Sequence, residues 1–187
     1  MLATNGMIPY IHIISHEKIQ KLRFDKRNDI AHPKWIIGKK FYQKVFRNLL
    51  YIITGGKGKT FSLFKKHRPI NKLYYGSSWW CLPYDCVSDM MTVLASTNDY
   101  NKYFSTSICA DESYFQTLFM QTKYAGKQAD ILTYIDWNKN DCSPKTFAKE
   151  DYDFITALPD KYFLIRKVDI DTDRELIDLL SKNTFDS

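Results

Sequence analysis

An α/β fold is predicted by two features of this chain. Short β-branched or aromatic runs are bounded by turn residues, and between them lie segments whose apolar side chains recur every three or four positions. Strands that alternate with helices in this way build a sheet flanked by helices. No internal repeat or low-complexity tract interrupts the alternation.

The elements follow in order. Residues 10–15 alternate and read as a strand, and residues 17–34 form a charged connection stopped at Pro33. Over 35–53, Ile36, Ile37, Phe41, Val45, Leu49, Leu50 and Ile53 keep helical spacing, with Lys40, Lys44 and Arg47 between them. This amphipathic helix has two readings: packing against the rest of the protein, or attachment to an anionic membrane face. Gly55 ends it, and residues 57–72 are expected to be a mobile connector that is basic and lacks any acidic residue. A strand with tandem Trp79 and Trp80 is expected over 74–82, then a helix over 85–95 with Val87, Met90, Met91 and Leu94 on one face. The next helix, 111–122, carries Phe115, Leu118 and Phe119 as its apolar stripe and Asp111 and Glu112 in its first turn, where the helix dipole favours carboxylates. Residues 131–137 read as a strand, Ser143-Pro144 as a turn, 150–155 as a short helix and 162–166 as the last strand. The spacing of Thr172 and Glu175 predicts a capping box opening a terminal helix.

With 187 residues, 44% of them hydrophobic, the chain can bury one sizeable core and is expected to be one domain or the larger part of one. The 13 Tyr, 12 Phe and 4 Trp have two readings: core filling, or the lining of a pocket, since flat rings with polar edges suit sugar faces. Charge is lopsided: through Lys72 there are 16 Lys/Arg against 3 Asp/Glu, and after it 11 against 18. That division marks a basic strand, helix and connector region, 1–72, and a second region, 73–187. It points to an anionic partner or to attraction between the two regions. Cys81, Cys86, Cys109 and Cys142 lack paired spacing, which fits a reducing compartment. No apolar run reaches the roughly 18 residues of a spanning helix, and residues 1–9 have no signal-peptide pattern, so a cytoplasmic protein is expected, with peripheral contact at the inner membrane face left open.

Two motifs are set aside. Gly55-Gly56-Lys57-Gly58-Lys59-Thr60 imitates a phosphate loop, but Ile53 stands where the motif needs its first Gly. His12 and His16 stand four apart on a predicted strand without further ligands, so no metal is assigned to them.

Adjacent carboxylates at Asp111 and Glu112, followed by Tyr134-Ile135-Asp136-Trp137, Ser143-Pro144-Lys145-Thr146-Phe147 and Phe163-Leu164-Ile165-Arg166-Lys167, suggest a sugar transferase. A hydroxyl is a poor nucleophile, so a carboxylate must take its proton as it attacks the anomeric carbon. A leaving group that departs as an anion needs cations where no metal is bound.

With Gly76-Ser77-Ser78-Trp79-Trp80 ahead of them, these motifs stand in an order that resembles the C-terminal half of the core-2/I-branching β-1,6-N-acetylglucosaminyltransferase family, which is similar to peptide O-xylosyltransferases. The resemblance spans about residues 74–180 well and 10–72 only loosely. It implies part of a GT-A-like nucleotide-sugar transferase fold with a mixed sheet, and an inverting transfer from a UDP-sugar donor to a glycan acceptor without a metal or other cofactor. Glu112 matches the catalytic base and Lys167 the diphosphate ligand, with Arg166 assisting and Lys145 as a second basic candidate. Trp137 matches a tryptophan near the acceptor, while Ser77 and Trp79 belong to the cleft-floor segment. Asp111 is expected to cap the helix or orient a neighbour. The family's nucleotide-binding βα region, with a Ser-Gly-x-Asp-Tyr-Pro-like segment, is not found here, so the chain is expected to be a partial domain, with its activity alone left open. The alternative is a non-catalytic basic module binding nucleic acid or an anionic membrane surface; on the transferase reading no nucleic acid is expected.

Overall fold

The computed structural model describes residues 7–22, 28–33, 38–137 and 143–185. It divides into two units, Met1–Ala129 and Asp130–Ser187.

In the first unit the segment expected as a strand over 10–15 is extended but pairs only through single bridges. Tyr10 bridges Cys81 antiparallel and Ala129 in parallel, and Ile14 N–H donates to Tyr75 O at 2.7 Å. Residues 74–82, also expected as a strand, are likewise extended without a regular ladder. Their backbone groups are paired one at a time, with backbone at Tyr75, Gly76 and Cys81 and with side chains at Tyr74 and Ser77, which satisfies the same requirement that buried amides be paired. The stretch 17–34 is not only a connection: it holds α1, His16–Leu22, whose Ile19 is buried in the core, while residues 23–27 and 34 lie outside the described residues.

Helix α2, Phe41–Thr54, occupies the later part of the predicted 35–53 span and runs one residue past it, while 35–37 lie outside the described residues. Gly55 ends it as expected, at φ 77°, its N–H on Ile52 O and that of Gly56 on Tyr51 O at 2.7 Å. The expected mobile connector after it is corrected. Residues Lys57–Ser62 form α3, and Thr60, fully buried, meets Thr54 Oγ1 at 2.5 Å. Beyond α3, Ile30 bridges Lys65, and Arg68 grips Asp29 through Nε and Nη2 at 2.6 and 2.5 Å. Tyr103 OH donates to the same carboxylate at 3.0 Å. Lys66 Nζ donates to Tyr103 O and Ser107 Oγ at 2.6 and 2.7 Å and sits 4.2 Å from the Tyr103 ring centroid. Burial pushes the Lys66 ammonium down to about 8, against the partial support of Asp29. The basic stretch is thus tied into the fold by its own cations.

Helix α4, Tyr84–Ser96, matches its predicted span, burying Cys86 and Met90. Helix α5, Tyr100–Ser105, was not predicted; it opens at Asp99 in the left-handed region, φ 58°, and buries Tyr100, Tyr103 and Phe104. The single helix expected over 111–122 is two pieces: a 3-10 turn, Ala110–Glu112, and α6, Tyr114–Phe119. The core joins Ile11, Leu73, Tyr75, Met90, Phe104 and Phe119. Cys81 and Cys86 are free thiols, and Cys142 lies outside the described residues.

The second unit holds the one ladder among the described residues. Strand β1, Thr133–Ile135, pairs in parallel with β2, Leu164–Arg166, in the register Thr133 to Leu164, Tyr134 to Ile165 and Ile135 to Arg166. Among the described residues the expected mixed sheet is therefore a two-stranded parallel pair, with bridges of both senses at Tyr10. A 3-10 turn, Lys149–Asp151, leads into α7, Tyr152–Thr156. The terminal helix α8, Arg174–Phe185, is present, but its cap is Asp173 and not Thr172: Asp173 Oδ1 accepts the Leu176 N–H at 3.1 Å, and Oδ2 accepts that of Lys149 at 2.6 Å. Those two amides hold the Asp173 carboxyl below the usual carboxylate range. Phe147, Ile155 and Leu176 form this unit's core.

Candidate active site

Cys109, at φ 52°, turns the backbone so that Ala110–Glu112 closes a 3-10 turn, with Glu112 N–H on Cys109 O and Ser113 N–H on Ala110 O. The turn is then fastened to residues 74–77. Gly76 N–H donates to Glu112 O at 2.9 Å. Ser113 Oγ donates to Tyr74 O at 2.9 Å, Tyr74 N–H donates to Thr117 Oγ1 at 3.0 Å, and Gln116 Nε2 donates to Ser77 O at 2.7 Å. Ser113, Gln116 and Thr117 are fully buried, so water does not compete for these bonds. The Gly-Ser-x-Trp-Trp segment and the Asp-Glu segment, separate in sequence, are one structural piece.

Gly76 is where that piece meets the 10–15 segment. A Cβ there would lie 1.8 Å from His12 O, so only glycine lets the three strands of backbone cross. Behind the turn Tyr100 OH donates to Tyr114 O at 2.6 Å, and burial raises the Tyr100 phenol so that it stays a donor. Tyr100, Phe104, Tyr114, Phe115 and Trp80 follow one another with ring centroids about 5 Å apart.

The predicted residues of the first unit fall around this turn. Glu112 is half-buried. Asp111 is exposed, in the middle of the 3-10 turn, and does not cap α6, since neither the turn nor α6 has a side-chain cap bond. Asp111 instead stands at the edge of an apolar pocket of about 560 Å³ walled by Trp80, Val87, Met91, Leu94 and Phe115. Ser77 Oγ accepts the Trp79 N–H at 3.2 Å, keeping its own proton for a partner. Trp79 is 38% exposed, and Trp80 packs on Phe115 at 4.8 Å.

In the second unit the parallel pair brings its motifs together at the carboxyl ends of the strands, the end at which open α/β sheets bind ligands. Lys145 N–H donates to Asp136 O at 2.9 Å, Lys167 N–H to Lys145 O at 3.2 Å, and Phe147 N–H to Lys167 O at 2.8 Å. The 145–147 segment thereby wedges between the ends of β1 and β2, with Trp137, 57% exposed, one residue beyond the wedge. Lys145 is no solvated loop charge: its Nζ meets Asp151 Oδ1 at 2.6 Å, which raises the lysine pKa and lowers that of the aspartate. Lys167 is held more loosely, 3.8 Å from Asp169 and half-exposed. Arg166 is half-buried at the last register position of β2.

Ser113, Gln116 and Thr117 were not among the expected site residues; their signal in sequence is three polar residues spaced three and one apart at the start of an apolar run, and all three are buried. Among the described residues no group of three His, Cys, Asp or Glu side chains is arranged to hold a metal ion.

Taken unit by unit, a turn fastened by backbone hydrogen bonds presents a carboxylate that can accept a proton, and the open end of a parallel strand pair presents lysines that can stabilise an anion. The family model for Core-2/I-Branching enzymes matches residues 28–157, more than two thirds of the chain. The chain belongs to that family, and the class of activity the family carries is glycosyl transfer. The match takes in Glu112, Trp137 and Lys145, while Arg166 and Lys167 lie beyond it. No curated protein matches the chain.

Proposed function

We propose that the chain carries the catalytic base and diphosphate-binding residues of a GT-A-like, inverting, metal-independent transferase that moves N-acetylglucosamine or a related sugar from a UDP-sugar to a glycan hydroxyl. Glu112 takes the acceptor proton as the acceptor oxygen bonds to the anomeric carbon, the bond from that carbon to the diphosphate oxygen breaks, and UDP leaves with the electron pair. One displacement inverts the anomeric centre. Lys167, with Arg166 beside it, stabilises the charge on the departing diphosphate, and Lys145, partly neutralised by Asp151, contributes less. Trp137 offers a ring face to a pyranose, and Ser77 and Trp79 border the Glu112 turn as acceptor contacts.

The observation that carries the reading is the Gly76 to Glu112 bond within a buried hydrogen-bond set. A general base must be held to a fraction of an ångström, and this set holds the backbone from which Glu112 projects. The test is Glu112→Gln in a form of the protein that binds UDP. Transfer from a radiolabelled UDP-sugar should fall about 10²–10⁴-fold with an unchanged melting temperature, and the wild-type product should have the inverted anomeric configuration by NMR. Transfer undiminished in the variant rejects the assignment of Glu112.

A further inference from the structure

Helix α2 is packed inside out. At about 100° per residue, Phe41, Tyr42, Val45, Leu49, Ile52 and Ile53 share one arc of the helix, and all six are exposed, with Phe41, Ile52 and Ile53 at 82, 78 and 70%. The half-buried positions are Gln43, Arg47, Leu50, Tyr51 and Thr54, on the opposite arc. Against that arc lies α3, through Tyr51 on Phe61 at 6.3 Å and Thr54 on Thr60. A helix whose only role is to pack on its own domain turns its apolar stripe inward, and α2 turns its polar arc inward.

The charge around the exposed arc is of one sign. From Ile30 to Tyr84 the sequence has no Asp or Glu. Lys39, Lys40 and Lys44 stand exposed at the start of α2, and Lys57 and Lys59 stand exposed just past its end. Aliphatic side chains in the middle with flexible ammonium groups at both ends match a layer that is apolar below and anionic above, since lysine stems lie along apolar surface while their heads reach out. Nucleic acid would meet cations across the face, where this helix has Leu and Ile. A convex single-helix surface needs no shaped counterpart when the partner is fluid.

We propose that α2 is an interfacial anchor that lies in the surface of an anionic lipid bilayer, its axis parallel to the membrane. At 14 residues α2 is itself too short to span a bilayer, and no helix among the described residues is long and apolar enough to cross one. The proposal is independent of the transferase reading, and its test does not use catalysis.

The test is co-sedimentation of the whole chain with vesicles of phosphatidylcholine alone or mixed with phosphatidylglycerol. The mixed vesicles should retain the protein and lose it as salt rises; the neutral ones should hold it weakly. Leu49→Ser, Ile52→Ser and Ile53→Ser together replace exposed side chains, so far-UV circular dichroism and melting should stay as in the wild type, while vesicle binding falls at least about tenfold per residue. Lys39→Ala, Lys40→Ala and Lys44→Ala together should weaken binding to the anionic vesicles about fivefold per lysine and leave binding to neutral ones as it was. Absence of wild-type binding to the mixed vesicles overturns the proposal, as does binding that survives the serine triple. A concentration-dependent dimer in sedimentation velocity that the serine triple dissolves also overturns it, because the arc would then belong to a second copy.

Discussion

Replacing Gly76 with alanine tests the link between packing and catalysis at one atom. The new Cβ would stand 1.8 Å from His12 O and 2.9 Å from His12 C, while Cβ contacts below 3.0 Å essentially do not occur, so about 1.2 Å of displacement is required. The obstacle is backbone and cannot rotate away. Either the 10–14 segment retreats, straining the Ile14 to Tyr75 bond, or residues 74–77 move and the Gly76 to Glu112 bond goes with them. Overpacking costs about 1–3 kcal/mol and each hydrogen bond lost adds about 1 kcal/mol, so the loss should be about 2–5 kcal/mol. At roughly 3 °C per kcal/mol, melting followed by circular dichroism should drop by about 6–15 °C. In a transfer-competent form, activity measured well below the new melting point should fall about 100-fold if the Glu112 carboxylate shifts by an ångström. The same melting temperature as wild type would refute the crossing, and full activity in a destabilised but folded variant would refute the claim that this crossing positions the base.

Other expectations follow from the same geometry. Thr117→Val keeps the shape but leaves the Tyr74 N–H without its buried acceptor, which should cost about 1–3 kcal/mol in a denaturant titration; an unchanged midpoint would mean the bond is replaceable. Lys66 binds its proton less tightly in the folded chain, at about 8, than at the ordinary 10.5. Between those values the unfolded chain therefore holds the extra proton, and the stability Lys66 contributes should rise with pH from about 8 and be fully present only above 10.5. Tyr103, raised by burial, acts in the opposite sense only above the ordinary tyrosine value of 10.0, so melting of wild type should gain on Lys66→Met between pH 8 and 10, and parallel curves would reject the assignment. In a form of the protein that binds UDP, Lys167→Ala should weaken that binding about tenfold or more in calorimetry, and Lys145→Ala, whose charge Asp151 already offsets, by less; the reverse order would make Lys145 the diphosphate ligand.

The parts of the fold that were legible in sequence are those whose cause is local. Helix α4 follows from its apolar spacing, the end of α2 from a glycine that can adopt φ 77°, and the terminal helix from its acidic start, with the capping residue displaced from Thr172 to Asp173. Helix α3 was hidden because Gly58 and the lysines imitate a loop, while its stability comes from Thr60 meeting Thr54 and from Phe61 meeting Tyr51 and His32. The break at Ser113 was hidden for a longer-range reason: its hydroxyl is committed to Tyr74, 39 residues earlier, and no helical periodicity reports that. The motifs at 76–80 and 111–118 were visible as residues, yet their union through Gly76 depends on where His12 passes.

The candidate base thus stands where regular structure gives out. Residues 74–77 have no ladder partner, the Glu112 turn is 3-10, and α6 has only six residues, so the hydrogen bonds that a sheet or long helix would supply internally are supplied by Ser113, Gln116 and Thr117. A six-residue helix has little stability of its own, and α6 persists because both of its faces are buried, Leu118 and Phe119 on the apolar core and the polar stripe on backbone. That arrangement fixes the turn from several directions at once while leaving Asp111 exposed and Glu112 half-buried. A carboxylate placed instead inside a regular helix would be rigid through the helix alone; here its rigidity is shared with the Gly76 crossing, so substitutions at residues that never touch substrate should alter the rate.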